Sequence, residues 1–379
     1  MIEEKILLDK INKSFLKSLN KFNPNERSLH WKKISSIKNF EDLEKLKNFR
    51  NNGLSYGHDD SNYYSQVHYD FYGEIDSLIK EIGEKFIYEN LKKKNIGNLK
   101  NFYKFDNKMV DPGDLFLIKY FFGIEKYIFN DSKIETICEI GGGYGGLAEK
   151  IINKYNCKYI LIDLPETNRL STYYLTQIFP DKKLFIYSDF TNDILDKKIL
   201  NDNDIIIIPP NIMFKEINID LFINTRSMME MDFSTISKYF NLIHKNISKN
   251  GFFFNVNRYI KFRVGHPIFL KDYPYDNFWE ITNSSKSLPQ DHIHQLITKR
   301  NYNLNGSEIK NELSKILEET KNYLNPDELR YLDPNYFKNQ NYFVKAIKKI
   351  LYYLGKLIFR KNYYKYKQKF YGLFNKIFK

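Results

Sequence analysis

From residue 134 onward, the hydrophobic positions fall in short unbroken runs separated by amphipathic stretches. IETICEI (134–140), CKYILID (157–163), KLFIYSD (183–189), DIIIIPP (204–210), DLFINT (220–225) and GFFFNVNRYI (251–260) read as strands. Runs this apolar suit a parallel sheet covered on both faces. Between them, GLAEKIINKY (146–155), PETNRLSTYYLTQIF (165–179) and FSTISKYFNLIHKNI (233–247) carry apolar residues at helical spacing. Pro165 suits a first turn, and Gly251 is expected to close the third helix. This alternation predicts an α/β fold: a doubly wound, mostly parallel, Rossmann-like sheet with helices on both faces.

The flanks differ. Residues 1–130 read as a helical N-terminal region that caps the substrate side, with helical spacing in FEDLEKLKNFR and IDSLIKEIGEKFIYENLKK and a more apolar, buried run in LFLIKYFFGIEKYI. SYGHDDSNYYSQVHYD (55–70) has no period and suits either an exposed loop or a loop lining a polar ligand. Residues 131–300 form the sheet domain, 301–340 a helical extension and 341–379 a basic amphipathic tail. After Lys261, prolines and weak periodicity leave the pattern open.

Composition changes this picture little, and charge changes it more. At 42% hydrophobic and 28% charged, 379 residues suffice for a folded body. Cys138 and Cys157 are the only cysteines, which excludes a disulfide framework and suggests a reducing, cytoplasmic setting. MIEEKILLDK has acids where a signal peptide has bases, and no run is long enough to span a bilayer. The net charge is +13, and residues 341–379 hold eleven Lys or Arg and no acid. Basicity is therefore a property of the tail.

The chemistry concentrates at GGGYGG (141–146), where a strand passes into a helix. Gly141, Gly143 and Gly145 have GxGxG spacing; Gly141, Gly143 and Gly146 also fit the dinucleotide spacing GxGxxG. Glu139 lies inside the strand, where a buried carboxylate is costly without a partner. Asp163 ends the next strand, twenty residues beyond Gly143, and can accept both hydroxyls of a ribose. A nicotinamide dinucleotide would place pyrophosphate at the helix start. S-adenosylmethionine would bring a sulfonium and an amine, which suit Glu139 better.

The segments EIGGGYGGLA (139–148), YILIDLPE (159–166) with the YYL that follows, and FINTRSMMEM (222–231) with the following ISKYF resemble the sugar O-methyltransferases of bacterial surface-glycan loci. These are class I S-adenosylmethionine-dependent methyltransferases. The last block is the most specific, and the resemblance spans residues 95–300. It implies S-adenosyl-L-methionine as cofactor, with Glu139, Gly141, Gly143 and Gly145 around its methionine part. It places Asp163 on the ribose, Leu164 on the adenine face, Asp189 on the adenine amino group, and Asn224 and Thr225 near the methyl group. The implied acceptor is a sugar, nucleotide-sugar or glycan in surface polysaccharide or lipopolysaccharide metabolism. One departure is DIIIIPP, an additional strand between Asp189 and DLFINT that bears on the position of Asp189. An NAD-dependent sugar oxidoreductase and a non-catalytic glycan-assembly binding protein stand as alternatives.

A sugar hydroxyl must lose its proton as it attacks, to a side chain or with a metal's help. Glu230, in RSMMEMD after the fourth strand, is a candidate base, a substrate anchor or an acid at a helix start. His266, in RVGHPIF, is a second candidate base. Arg258, beside Asn257 in FNVNRY, can grip a phosphate or carboxylate on an activated sugar. His292 and His294, with Asp291, have a spacing that fits a metal only on a strand. His58, Asp59, Asp60 and His68 are candidates to line the sugar pocket, and His244 reads as structural. No acidic cluster assigns a divalent metal, so metal dependence stays open, as does oligomeric state.

In the tail, VKAIKKILYYLGKLIF presents an apolar stripe beside a basic one. This suits the surface of an anionic membrane, peripheral on the inner face of the cytoplasmic membrane, better than nucleic acid, for which no recognition module accompanies it. Packing against a partner or the domain is the plainer alternative. Removing residues 341–379 is expected to abolish sedimentation with anionic vesicles while sparing cofactor binding. Equal sedimentation of intact and truncated protein would disprove the membrane reading.

Overall fold

The computed structural model describes residues 2–21, 43–50, 71–92, 94–99, 103–105, 108–130, 132–262, 267–287, 292–304, 308–324, 328 and 332. His58, Asp59, Asp60, His68, His266, Asp291 and the tail 341–379 lie outside the described residues. The chain divides into two compact units, Met1–Glu312 and Leu313–Lys379. The first holds both the sheet and the N-terminal helices.

An eight-stranded sheet organises this unit. Its strands are β1 (Thr136–Ile140), β2 (Lys158–Ile162), β3 (Leu184–Ile186), β4 (Ile205–Ile208), β5 (Ile219–Thr225), β6 (Ile247–Arg258), β7 (Trp279–Lys286) and β8 (Ile293–Arg300). Their spatial order is β7-β8-β6-β5-β1-β2-β4-β3. Pairings from β3 across to β6 are parallel, and β8 runs antiparallel to both β6 and β7. All five residues of β1 and all four of β4 are buried, as two covered faces require. The doubly wound, mostly parallel sheet is as the hydrophobic pattern predicts.

Three local features differ from the pattern. DIIIIPP forms β4, which inserts between β2 and the edge strand β3. The helix Phe233–Asn246 ends before Gly251, which instead lies in β6 beside a register shift; Asn250 takes the positive φ. β7 and β8 arise from the stretch without clear periodicity. β7 alternates weakly because it is partly exposed along its length, and β8 mixes His294, Gln295 and Thr298 into a buried strand.

The helices that frame the site are, in order, α1 (Ile2–Lys21), α2 (Phe71–Ile82), α3 (Glu84–Asn90), α4 (Pro112–Ile124), α5 (Gly146–Lys154), α6 (Pro165–Ile178) and α7 (Phe233–Asn246); Leu43–Lys47, Lys197–Asp202 and Glu308–Lys321 are helical as well. A small ribbon, Tyr103–Phe105 with Lys108–Val110, interrupts the N-terminal region. α1 lies along the β3 side of the sheet. Its Lys17 donates to the carbonyls of Tyr187 and Phe190, its Lys10 pairs with Asp189 at 2.9 Å, and its Asn12 accepts from Arg169 of α6 at 2.6 Å. No described helix is long and apolar enough to cross a membrane.

A buried ionic cluster fastens α4 to α5. Asp114 sits 2.8 Å from Lys150 and 3.8 Å from Lys92, while Arg50 pairs with Asp111 at 2.5 Å. Burial pulls the Lys92 ammonium down to about 8, Arg50 adds to the lowering, and Asp114 and Asp111 oppose it. Charges this enclosed stabilise only as a set; removing one partner strands the rest. Asp114→Asn is therefore expected to lose about 3–5 kcal/mol, the usual cost of breaking a buried pair. Urea unfolding checks this, and a midpoint unchanged from the parent protein would refute it.

Candidate functional site

The strands of a parallel sheet present their carboxyl ends at one edge, where ligands bind in such folds. β1 ends at Ile140, and the chain must then turn sharply into α5. Gly141, Gly143 and Gly145 take φ of 77, 59 and 92, a region costly for any residue with a Cβ. At Gly141 an added Cβ would also lie 2.1 Å from Ser227 Oγ. Gly143 differs: nothing stands within 4 Å of such a Cβ, so its backbone faces open space.

Two acids flank this turn. Glu139 is 1% exposed, and its Oε2 accepts a hydrogen bond from the Tyr159 hydroxyl at 2.7 Å. Burial pushes its carboxyl up to about 7, the Tyr159 bond opposes this, and the charge of Asp163 adds to it. Asp163 accepts from Gly143 N at 2.8 Å and from Leu164 N at 2.7 Å. Burial raises it as well to about 7, against those two bonds and one from Thr167. Both carboxylates are thus ionised only reluctantly near neutral pH. A ligand cation would favour their charged forms.

A buried amide ladder fixes the turn against the neighbouring strands. Asn224, at the end of β5, donates to Ile140 O at 2.8 Å and accepts from Asn257 Nδ2 at 2.8 Å and Met228 N at 3.2 Å. Asn257 accepts from Met229 N at 3.0 Å and donates to Asn255 Oδ1, and Asn255 donates to the Tyr275 hydroxyl at 2.8 Å. All three asparagines are fully buried. Ser227 donates to the same Ile140 carbonyl at 3.0 Å. Asn224 thereby stands between the glycine turn and the SMMEM segment, with its amide engaged by backbone on both sides.

Beyond Ser227 lies a second group of charges. Glu230 ends a short turn (Met228–Glu230) and faces Lys261 at 3.7 Å. Arg258 closes β6, and Arg226, just past β5, holds φ 66 with its N–H on Val256 O at 2.7 Å. His292 precedes β8; burial, and then Arg258, Arg226 and Lys261, push its imidazole down to about 3. His294 is elsewhere occupied, between the Tyr259 hydroxyl at 2.9 Å and Ser284 Oγ at 2.8 Å. No group of three or more metal-binding side chains occurs among the described residues. His244 lies beneath Trp279, whose Nε1 donates to it at 3.3 Å.

The structure thus brings together Glu139, Gly141, Gly143, Gly145, Asp163, Leu164 and Asn224, and beside them Glu230 and Arg258. Asp189 does not join them, contrary to the position that the resemblance implies. It follows the edge strand β3, accepts from Ile186 N at 3.0 Å, and pairs with Lys10 of α1. The physical reason is β4, which takes the place beside β2: Asp163 N donates to Ile208 O at 3.2 Å, so Pro209 and Pro210 follow where an acid was expected. Arg226 and Lys261 were absent from the sequence candidates. The signal for Arg226 was its place directly after the DLFINT strand.

No protein-family profile matches the sequence. No curated protein matches it either. Among solved structures, the chain is similar to an S-adenosylmethionine-dependent methyltransferase from Clostridium acetobutylicum, at 14% identity over 48% of this chain and 91% of that one, with a TM-score of 0.33. It is similar to a TehB-like SAM-dependent methyltransferase from Corynebacterium glutamicum, at 14% identity over 47% and 87%, with a TM-score of 0.32. The pyocyanin biosynthetic protein PhzM is matched over 77% of this chain and 95% of its own, at 12% identity and a TM-score of 0.33. Overlaps this partial leave the functional reading to the geometry of the site.

The amide ladder can be tested directly. Asn257→Leu keeps the size of the side chain but orphans Met229 N and Asn255 Oδ1, each costing about 1–3 kcal/mol when buried. The variant is expected to unfold at lower urea. Stability equal to that of the parent would contradict the ladder.

Proposed function

We propose that the protein is an S-adenosylmethionine-dependent O-methyltransferase acting on a sugar hydroxyl. The observation that carries the cofactor reading is a pair of carboxylates, Glu139 buried and Asp163 half-buried, on either side of an open glycine turn. Two such acids repel a pyrophosphate, which weighs against a dinucleotide, and attract a cation. When bound, S-adenosylmethionine supplies a methyl group made electrophilic by its sulfonium. The sugar acceptor is supported by the resemblance in FINTRSMMEM and its neighbouring blocks.

In this reading, Gly141 to Gly145 and Glu139 hold the methionine part, and Asp163 exchanges its bonds to Gly143 N and Leu164 N for ribose hydroxyls. Pro209 and Pro210 replace Asp189 as neighbours of the adenine. Asn224 holds the glycine turn and the SMMEM segment in register, which aligns the two reacting partners. Glu230 would take the proton of the attacking sugar hydroxyl, leaving its oxygen free to accept the methyl group that the cofactor supplies. Lys261, 3.7 Å away, orients the Glu230 carboxylate for that task. The tail 341–379 would hold the enzyme at an anionic membrane surface, near lipid-linked glycans.

Because both acids titrate near 7, affinity for S-adenosylmethionine is expected to rise between pH 6 and pH 8. The stability of the cofactor-free protein runs the other way: a raised carboxyl pKa stabilises at low pH, and that contribution is lost as pH rises through 7. Asp163→Asn should flatten both trends, seen by calorimetry and thermal melts. Tight NAD binding without measurable affinity for S-adenosylmethionine or S-adenosylhomocysteine would overturn the cofactor assignment. Glu230→Gln should leave cofactor affinity unchanged and lower the single-turnover rate by about 10²–10⁴, the usual worth of a general base. A parental rate would remove Glu230 from that role.

A further inference from the structure

The carboxyl edge of the sheet carries opposite charge on its two sides. Glu139 and Asp163 stand on the β1–β2 side of Ser227, whereas Arg226, Arg258 and Lys261 converge on the β5–β6 side. These cations come from two pieces of chain: Arg226 from the tip of β5, and Arg258 and Lys261 from the tip of β6 and the ribbon Ile260–Lys261 that follows it and pairs with Ile268–Phe269. The turn holding Ser227 and Glu230 joins the two sides, since Ser227 Oγ bonds Ile140 O and Glu230 faces Lys261.

We propose that Arg226, Arg258 and Lys261 form a subsite for an anionic group, phosphate or carboxylate, on the acceptor, so that the sugar methylated is an acidic one. This deepens the methyl-transfer reading and rests on it. Like charges were brought together here at a cost. Burial lowers the Lys261 ammonium, and the charges of Arg258 and Arg226 lower it further against the pull of Glu230. His292, just before β8, is kept neutral first by burial and then by the same three cations. An anion seated among them would relieve this repulsion.

The backbone carries a second, independent sign. Arg226 holds φ 66, a conformation that glycine adopts freely and a long side chain does not. Strain of this kind persists where surrounding structure enforces it, and it gathers at ligand sites. Here the bond to Val256 O enforces it, and the guanidinium lies over the Phe116 ring, 5.6 Å from its centre, beside the Tyr120 hydroxyl. Arginine forks suit planar carboxylates and phosphates. The anion would lie beside Glu230, which places a neighbouring hydroxyl of the same sugar within reach of the proposed base.

The test uses full-length protein and calorimetry with four probes: UDP-glucose, glucuronate, inorganic phosphate and uncharged methyl glucoside. At least one of UDP-glucose and glucuronate is expected to bind tenfold or more tighter than methyl glucoside, and more weakly as salt is added. Preference for UDP-glucose and phosphate identifies a phosphate subsite; preference for glucuronate identifies a carboxylate one. Arg258→Gln and Lys261→Gln should each weaken the preferred anion tenfold or more and leave S-adenosylhomocysteine affinity unchanged; using both guards against one variant failing to fold. The proposal is overturned if no anionic probe binds more tightly than methyl glucoside, or if neither folded variant weakens it. Loss of cofactor binding in the parent protein, with anion preference intact, would instead sink the methyl-transfer reading alone.

Discussion

The Asn224 amide joins three strand ends. Through its donation to Ile140 O it holds β1 at the point where the glycine turn leaves the sheet. Through its carbonyl it holds Asn257 on β6 and the N–H of Met228. A polar side chain at zero exposure is tolerable only when every donor and acceptor is met, and here each is. A network of this kind permits little adjustment, because moving one member orphans another. The turn that faces the carboxylates and the segment that bears Glu230 are therefore positioned by one set of bonds.

That rigidity gives the charges their meaning. Glu139 and Asp163 could relax toward solvent if the turn were loose. Instead Gly141 is pressed against Ser227, and Gly143 donates into Asp163. Both acids are left poorly solvated, and the charge of Asp163 raises Glu139 further. On the other side of Ser227, Arg226 is fixed by its backbone and Arg258 by the β6–β8 pairing. Preorganised charge of this sort acts without reorganising when a ligand arrives, which is how fixed dipoles and charges favour a reaction.

How much of this the sequence disclosed depends on the kind of signal. Strands buried on both faces, such as IETICEI and DIIIIPP, announce themselves by unbroken apolarity, and the glycine turn by composition alone. Asp163 was legible because it ends such a run at a fixed distance from the turn. β7 and β8 were not, since an antiparallel pair at the side of a sheet mixes polar and apolar residues without a clean alternation. Asp189 was misplaced for a topological reason: nothing local tells that the later strand, β4, will insert between β2 and β3. The roles of Asn255 and Asn257 were hidden as well, because only three-dimensional neighbours reveal an amide ladder.

The misplacement of Asp189 also explains why α1 belongs to the fold. With β4 inserted, β3 becomes the outer strand, and an edge strand needs covering. α1 packs on the turn that follows β3, and Asp189 is the acid that Lys10 meets there. Lys17 satisfies the carbonyls of Tyr187 and Phe190 in the turn after β3, and Asn12 engages Arg169 on α6. The buried ions around Asp114 tie α4 to α5, the helix that starts from the glycine turn. The N-terminal helices are thus fastened at the turn after the sheet's outer strand, at the helix behind the glycine turn and, through Arg226 over Phe116, at the tip of β5. Any movement of these helices that opens the carboxyl edge to a substrate must work against one of these attachments.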